Sequence, residues 1–238
     1  MDTILYFQSP SKTSTPDKIT GVRHYAAAMN WHVQVVDGLP TSDTLAQLVD
    51  FWHPIGCIVE CGGGYQEIPI ALFSGLPTVY LDRNPCTMPP DTPCVSHDSV
   101  ATGRLAAKEL LVAGHPNLAF VPYPLPRFWS DDRERGFRDA LALNGMTCET
   151  FCGGRHSPQS VVWQKALHRW IMQIPKPCGI FAANDSSYLY SVDGGEYVRH
   201  NNNWYNLVVN EEISGHHVIS IKPIGDGSQA LIAGFTYD

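Results

Sequence analysis

The chain has 238 residues, 44% of them hydrophobic and 16% charged, a balance that predicts a packed core rather than a disordered chain and allows one large or two small domains. Its net charge of −7, with no basic cluster anywhere, removes the electrostatic footprint of a duplex-nucleic-acid binder. No apolar run is long enough to cross a bilayer, and the opening MDTILYFQSP reads as a first strand rather than a secretory signal, so a cytoplasmic location is expected.

Residues 3–8 are strand-like and end at Gln8-Ser9-Pro10. A helix is expected over 16–29, where Ile19, Val22, Tyr25 and Ala26 recur at helical spacing behind Thr15 as a cap. Residues 31–36 alternate like a strand, and 42–52 place Leu45, Leu48, Val49 and Trp52 on one helical face. An apolar strand over 55–61 closes at Gly62-Gly63-Gly64. A short helix is expected over 66–74, and a strand over 78–81 ends at Asp82-Arg83-Asn84-Pro85. Alternation of this kind, at a spacing of about 25 residues, is the pattern of a parallel sheet wrapped by helices. The three consecutive glycines lack the lysine and the spaced glycines of a phosphate loop, so permissive backbone at a strand-to-helix turn accounts for them more simply than nucleotide binding.

A Pro-rich crossing over 88–93 leads to Cys94-Val95-Ser96-His97-Asp98. A helix over 99–113 stops at Gly114, followed by a strand over 118–121, a helix over 130–144, a strand over 147–151 and a long helix over 158–174. The run PKPCGIFAAND then gives a buried strand over 178–182 that ends at Ala183-Asn184-Asp185. Ligands of open α/β sheets bind beyond the carboxyl ends of the strands. Asn184 and Asp185 would stand there, with a mix of donors and acceptors that suits sugar hydroxyls. Both are also good helix caps.

The seven cysteines lack a Cys-x-x-Cys pair and read as free thiols. Cys57 and Cys61, like Cys148 and Cys152, are spaced by four, which on a strand separates them by about 13 Å and keeps them from sharing a metal. No cofactor is expected.

Six stretches in order carry a specific resemblance: GVRHYAAAMNWHV, FWHPIGCIVECGG, LPTVYLDRNP, VSHDSVATGRLAAKELLVAGHPNLAFV, FWSDDRERGFRDALALNG and PKPCGIFAAND. Together, over residues 3–185, they resemble the effector-binding domain of the galactose/lactose-repressor class, and within it the xylose-operon-regulator branch. The resemblance implies a two-lobed type I periplasmic-binding-protein-like α/β fold, here incomplete and followed by a β-rich C-terminal tail. It implies a small-molecule sugar as ligand, a pentose in the xylose branch, and it admits a homodimer. In WSDDRERGF, Arg133 lies three residues before Gly136, where the family places an arginine that hydrogen-bonds sugar hydroxyls; an exposed arginine paired with Asp131 or Glu134 is the alternative. Asp98 matches the family's acid after the fifth strand, and as an alternative caps the following helix. Arg83 either reaches the ligand or bridges to Asp82. Trp129, beside Phe128, either stacks on a sugar ring or packs in the core.

The division expected is an N-terminal α/β lobe over 1–115, a truncated C-terminal lobe over 116–187 and a β-rich tail over 188–238 that the resemblance does not reach. Asp193-Gly194-Gly195, Asn201-Asn202-Asn203 and Gly225-Asp226-Gly227 read as turns between strand-like runs at 188–192, 196–200, 204–209, 218–222 and 229–236. The tail is expected to pair antiparallel with the strand at 178–182, which would otherwise be left an apolar edge. The function expected is a sugar-sensing effector-binding domain of a transcriptional regulator, without a DNA-reading helix in this chain and without chemistry of its own. Two other readings stay open: a truncated or chimeric remnant that binds no ligand, and a small-molecule enzyme using His97, Asp98 and Asp185, for which no nucleophile elbow or paired-carboxylate motif is present.

Overall fold

The computed structural model of the protein describes residues 1–9, 15–62, 69–154, 160–175, 177–192, 198–200 and 219–235; of residues 15–17 and of those beyond 183 it describes the backbone alone. The chain divides into two compact units, Met1–His97 and Asp98–Asp238.

The first unit is a parallel sheet of five strands in the order β2-β1-β3-β4-β5, with β1 Thr3–Gln8, β2 His32–Asp37, β3 Gly56–Glu60, β4 Thr78–Leu81 and β5 Cys94–Val95. Its helices are α1 (Thr15–Ala28) and α2 (Ser42–Trp52). β1 is paired on both sides, Ile4 lying opposite Val33 of β2 and Gly56 of β3. Leu5, Tyr6 and Phe7, which alternate between its two faces, are all fully buried, so neither face of β1 is solvated and ILYF reads as an unbroken apolar run. Leu5, Phe7, Cys57, Val59, Phe73 and Tyr80 form the core, and Leu45 of α2 closes it. α2 starts where the Thr41 side chain accepts a hydrogen bond from the Thr44 amide at 3.2 Å, and stops where His53 turns left-handed at φ 42°. Between β3 and β4 only a 3-10 turn, Ile70–Phe73, stands among the described residues; the remainder of the helix expected over 66–74 falls on residues 63–68, outside them.

The second unit contains α3 (Ser99–Val112), β6 (Asn117–Val121), α4 (Phe128–Ala142), β7 (Glu149–Thr150), α5 (Val161–Gln173), β8 (Cys178–Val192), β9 (Val198–His200) and β10 (Ile219–Phe235). Its strands run in the order β10-β8-β6-β7, with β9 also on β8. β6, β7 and β8 are parallel, whereas β9 and β10 are antiparallel to β8. Successive residues of β8 face opposite ways. Phe181 packs with Phe120 and Phe137, while Ile180 packs on the other face with Trp163, Phe151 and Ile174. The three phenylalanines have ring centroids 5.2–6.2 Å apart and tie β6, β8 and α4 together.

The strand expected to stop at residue 182 does not stop there. Its parallel partner β6 ends at Val121, opposite Ala182, but β10 continues the ladder on the other edge: Leu231 pairs with Ala182, Gln229 with Asp185 and Ile224 with Ser187. Asn184 and Asp185 therefore lie within a strand, past the end of the parallel ladder, and start no helix. The expected pairing of the tail with 178–182 is present in the backbone, from Phe235 opposite Cys178 to Leu231 opposite Ala182. Gly225-Asp226-Gly227 is not a turn between two strands. It sits inside β10 at a register shift, where extra residues bulge out of the ladder. The expected strand over 204–209 and the turns at 193–195 and 201–203 lie outside the described residues.

α3 belongs with the second unit, so the division falls at His97/Asp98, upstream of the boundary expected near residue 115. The reason is a close helix crossing: α3 and α4 meet backbone to backbone, Gly103 against Arg133 and Phe137, and Gly136 against Val100. At the far end of α3, Gly114 supplies the left-handed residue at φ 75° that ends the helix.

His115 follows, buried where Gly179 leaves room for it; a Cβ on Gly179 would stand 3.0 Å from the imidazole. Burial holds the His115 pKa below its usual 6.5. Above about pH 6.5 the imidazole is neutral folded or unfolded, so it contributes no pH dependence. As the pH falls below that value the unfolded chain binds the proton first, and stability drops until the folded-state pKa is passed. The urea midpoint should therefore fall from pH 7 to pH 5, and the fall should be shallower in His115→Gln.

Candidate functional site

Each sheet presents polar side chains at the carboxyl ends of its parallel strands. In the second unit the site begins where β6 ends. The loop from Pro122 is closed by the Tyr123 amide, which donates to the Ser130 hydroxyl at 3.1 Å. α4 then carries Trp129 and Arg133 one turn apart on one face. Arg133 is 5% exposed. Its guanidinium donates to the Ala183 carbonyl of β8 and lies over the Trp129 ring, 4.9 Å from the centroid. Trp129 in turn stands 5.2 Å from the Tyr123 ring, and Arg127 covers Tyr123 at 5.8 Å. The result is a continuous stack of two aromatic rings with a cation at each end, Arg133 reaching the residue that precedes Asn184 and Asp185.

Arg133 is thus not an exposed helix arginine. Glu134 takes Arg138 at 2.8 Å and the Thr150 hydroxyl at 2.8 Å. Phe128 is buried, and Trp129 is half-buried, packed against the core around Phe120, Phe137 and Phe181 with Tyr123 and Arg133 against its ring. The side chains of Asn184 and Asp185 lie outside the described residues. Asp98 is an exposed helix cap, its carboxylate accepting from the Ala101 amide at 2.8 Å.

In the first unit Arg83 is 4% exposed and lies over the Tyr80 ring at 5.4 Å. It also stands beside Cys61, whose thiol burial pushes up to about 11 while the Arg83 charge pulls it the other way. Sequence reasoning missed the more polar feature of this unit. Glu60, the last residue of β3, is 1% exposed; it accepts from the Ser9 amide at 3.1 Å and from the Lys18 ammonium at 2.9 Å. Lys18 also pairs with Asp82, just past β4. Burial alone would lower the Lys18 pKa, but the two carboxylates more than offset it and the ammonium is held above its ordinary value. The Tyr6 hydroxyl lies beside them, pushed up by burial and then by the charges of Glu60 and Asp82. Gly62 follows at φ 68°, where a Cβ would stand 2.7 Å from the Ser9 hydroxyl, so this turn needs its glycine. The signal available in the sequence was a lone acid closing an otherwise apolar strand, CIVEC, since a buried carboxylate must find partners.

Residues 107–192 match the family described as a periplasmic binding protein-like domain. The solved transcriptional regulator CelR–cellobiose complex superposes with a TM-score of 0.60 at 20% identity, over 78% of this chain and 59% of that one. The sugar-binding protein of a sugar ABC transporter from Bacillus halodurans gives 0.59 at 18% identity, over 76% of this chain and 66% of that one. The fold is that of a type I periplasmic binding protein. A LacI-family regulatory protein from Chloroflexus aggregans shares it, with a TM-score of 0.57 at 17% identity over 73% of this chain and 64% of that one. In sequence, the chain is 29% identical over 115 residues to the HTH-type transcriptional repressor PurR of Mannheimia succiniciproducens, which covers 48% of this chain and 33% of the repressor. The matched length is thus about a third of that repressor, and the chain spans under two thirds of CelR. The matched family segment contains the whole Tyr123–Trp129–Arg133 stack and Ala183.

The Glu60–Lys18 pair is testable by itself. Removing Lys18 leaves a buried carboxylate without its cation. Lys18→Met should cost about 2–3 kcal/mol in urea unfolding, below the range for fully buried pairs because Lys18 is partly exposed. Lys18→Met combined with Glu60→Gln should recover about half of that loss or more, since the buried carboxylate is then gone and only the partly exposed Asp82 loses its cation.

Proposed function

We propose that this chain is the sugar-sensing effector-binding region of a transcriptional regulator of the galactose/lactose-repressor class. The observation that carries the reading is the buried Arg133, held between Trp129 and Ala183 where the parallel pairing of β6 with β8 ends, within the segment that matches the periplasmic-binding-protein-like family. An arginine in that position offers charge-assisted hydrogen bonds to hydroxyls, and an indole beside it offers a face for a sugar ring. On this reading Arg133, Trp129, Asn184 and Asp185 form the sugar-facing end of the second unit, with Asp98 as a further contact in the same unit. The ligand is a neutral sugar, and a pentose follows from the resemblance to the xylose-operon branch. The sensor works in the cytoplasm, forms a homodimer, and leaves operator binding to a domain outside this chain, in keeping with its net charge of −7.

A second reading is favoured by one observation. The hydrogen bond from Arg133 to Ala183 also suits a purely structural clamp in a chain that binds no ligand.

Thermal melting with and without a sugar separates the two. A sugar that binds only the folded state raises the melting temperature by mass action, by about 2.7 kcal/mol of stabilisation at a hundredfold excess over Kd. D-Xylose should raise the melting temperature of the wild type and leave Arg133→Ala unmoved. No response from the wild type to any of a panel of neutral pentoses, hexoses and disaccharides would favour the clamp.

A further inference from the structure

We infer that the Gly103–Gly136 crossing of α3 and α4 positions Arg133, so that these two glycines set sugar affinity without touching the sugar; the affinity part rests on the sugar-contact reading of Arg133. The contact is reciprocal. A Cβ on Gly103 would stand 2.1 Å from the Arg133 carbonyl oxygen and 2.7 Å from the Phe137 nitrogen. A Cβ on Gly136 would stand 2.1 Å from the Val100 carbonyl oxygen and 2.9 Å from the Val100 carbonyl carbon. Backbone meets backbone at both points, and no side chain lies between to absorb a shift by changing rotamer.

The placement along α4 gives this contact its consequence. Trp129, Arg133 and Gly136 fall on one stripe of the helix at i, i+4 and i+7. The carbonyl that Gly103 accommodates belongs to Arg133 itself. The root of the Arg133 side chain is therefore fixed by α3, while its tip must meet two partners at once, the Ala183 carbonyl and the Trp129 ring 4.9 Å away. A methyl group at residue 103 forces the helices apart by about 1 Å, because packed interiors leave no void to take it up. A hydrogen bond weakens steeply over such a distance. Phe137, one residue beyond Gly136, packs on Phe120 and Phe181 and supplies stability to the same helix without taking part in the crossing through its ring.

The test reads the Arg133 guanidinium directly, by nitrogen-15 NMR of its side chain. The signal is assigned through its loss in Arg133→Lys. Arg83, buried in the first unit, serves as the internal control. Gly103→Ala should shift or broaden the Arg133 signal, leave Arg83 unmoved, and weaken D-xylose binding about tenfold or more. Phe137→Leu should lower the melting temperature and leave the Arg133 signal in place. An unmoved Arg133 signal in folded Gly103→Ala overturns the inference. So does a displaced signal in Phe137→Leu, which would make general packing the positioning agent, and that variant decides the question if Gly103→Ala does not fold. Should the wild type bind no sugar, the sensing reading fails on its own, and the guanidinium signals still decide the role of the glycines.

Discussion

The pairing of β8 on both its edges is the constraint on which the second unit depends. Its first five residues lie between parallel β6 and antiparallel β10, so every backbone donor and acceptor of an apolar strand is accounted for by a neighbour. An unpaired edge of this composition would be a template for association with other chains. With both edges covered, the alternation of the strand places Phe181 against α4 and Ile180 against α5, and one strand organises the cores on both faces of the sheet. That β10 runs antiparallel is a consequence of its route: it arrives as the return of a ribbon extending past the sheet, with no crossover helix between it and β8 among the described residues.

The same strand delivers the carbonyl that orients Arg133. A buried guanidinium is costly unless it is hydrogen-bonded, and here the main chain of β8 and the indole of Trp129 take it up. The first unit solves the comparable problem differently. Its buried carboxylate, Glu60, closes β3 and is neutralised by a lysine from α1 that is shared with Asp82 after β4. Both solutions sit where parallel strands end and backbone groups become available, which is where α/β sheets place their ligand chemistry.

What the sequence disclosed follows from range. α2 and β4 occupy the residues that periodicity and turn chemistry mark, 42–52 and 78–81, because the signals are local: a helical apolar stripe and a short apolar run before Asp82. The continuation of β8 past Ala183 was not legible. Small and polar residues mark a strand end only if its partners also end, and the partner that prolongs β8 lies some forty residues downstream. Arg133 was placed by motif, but its burial was hidden, since Asp131 and Glu134 nearby suggest an exposed pair; the structure gives Glu134 to Arg138 and turns Arg133 inward. Glu60 was passed over because an apolar strand draws attention to its core residues and not to the acid that closes it. Gly225-Asp226-Gly227 carries the composition of a turn, and the ladder absorbs it as a bulge.

Hydrogen exchange of the native full-length chain tests most directly whether β10 completes this sheet. If it does, residues 231–235 open only together with the core of their unit, and their amides exchange with the same opening free energy as those of 117–121 and 178–182. Exchange of 231–235 at close to unprotected rates, while 117–121 stay protected, would contradict the account and leave residues 178–182 with β6 alone as their partner.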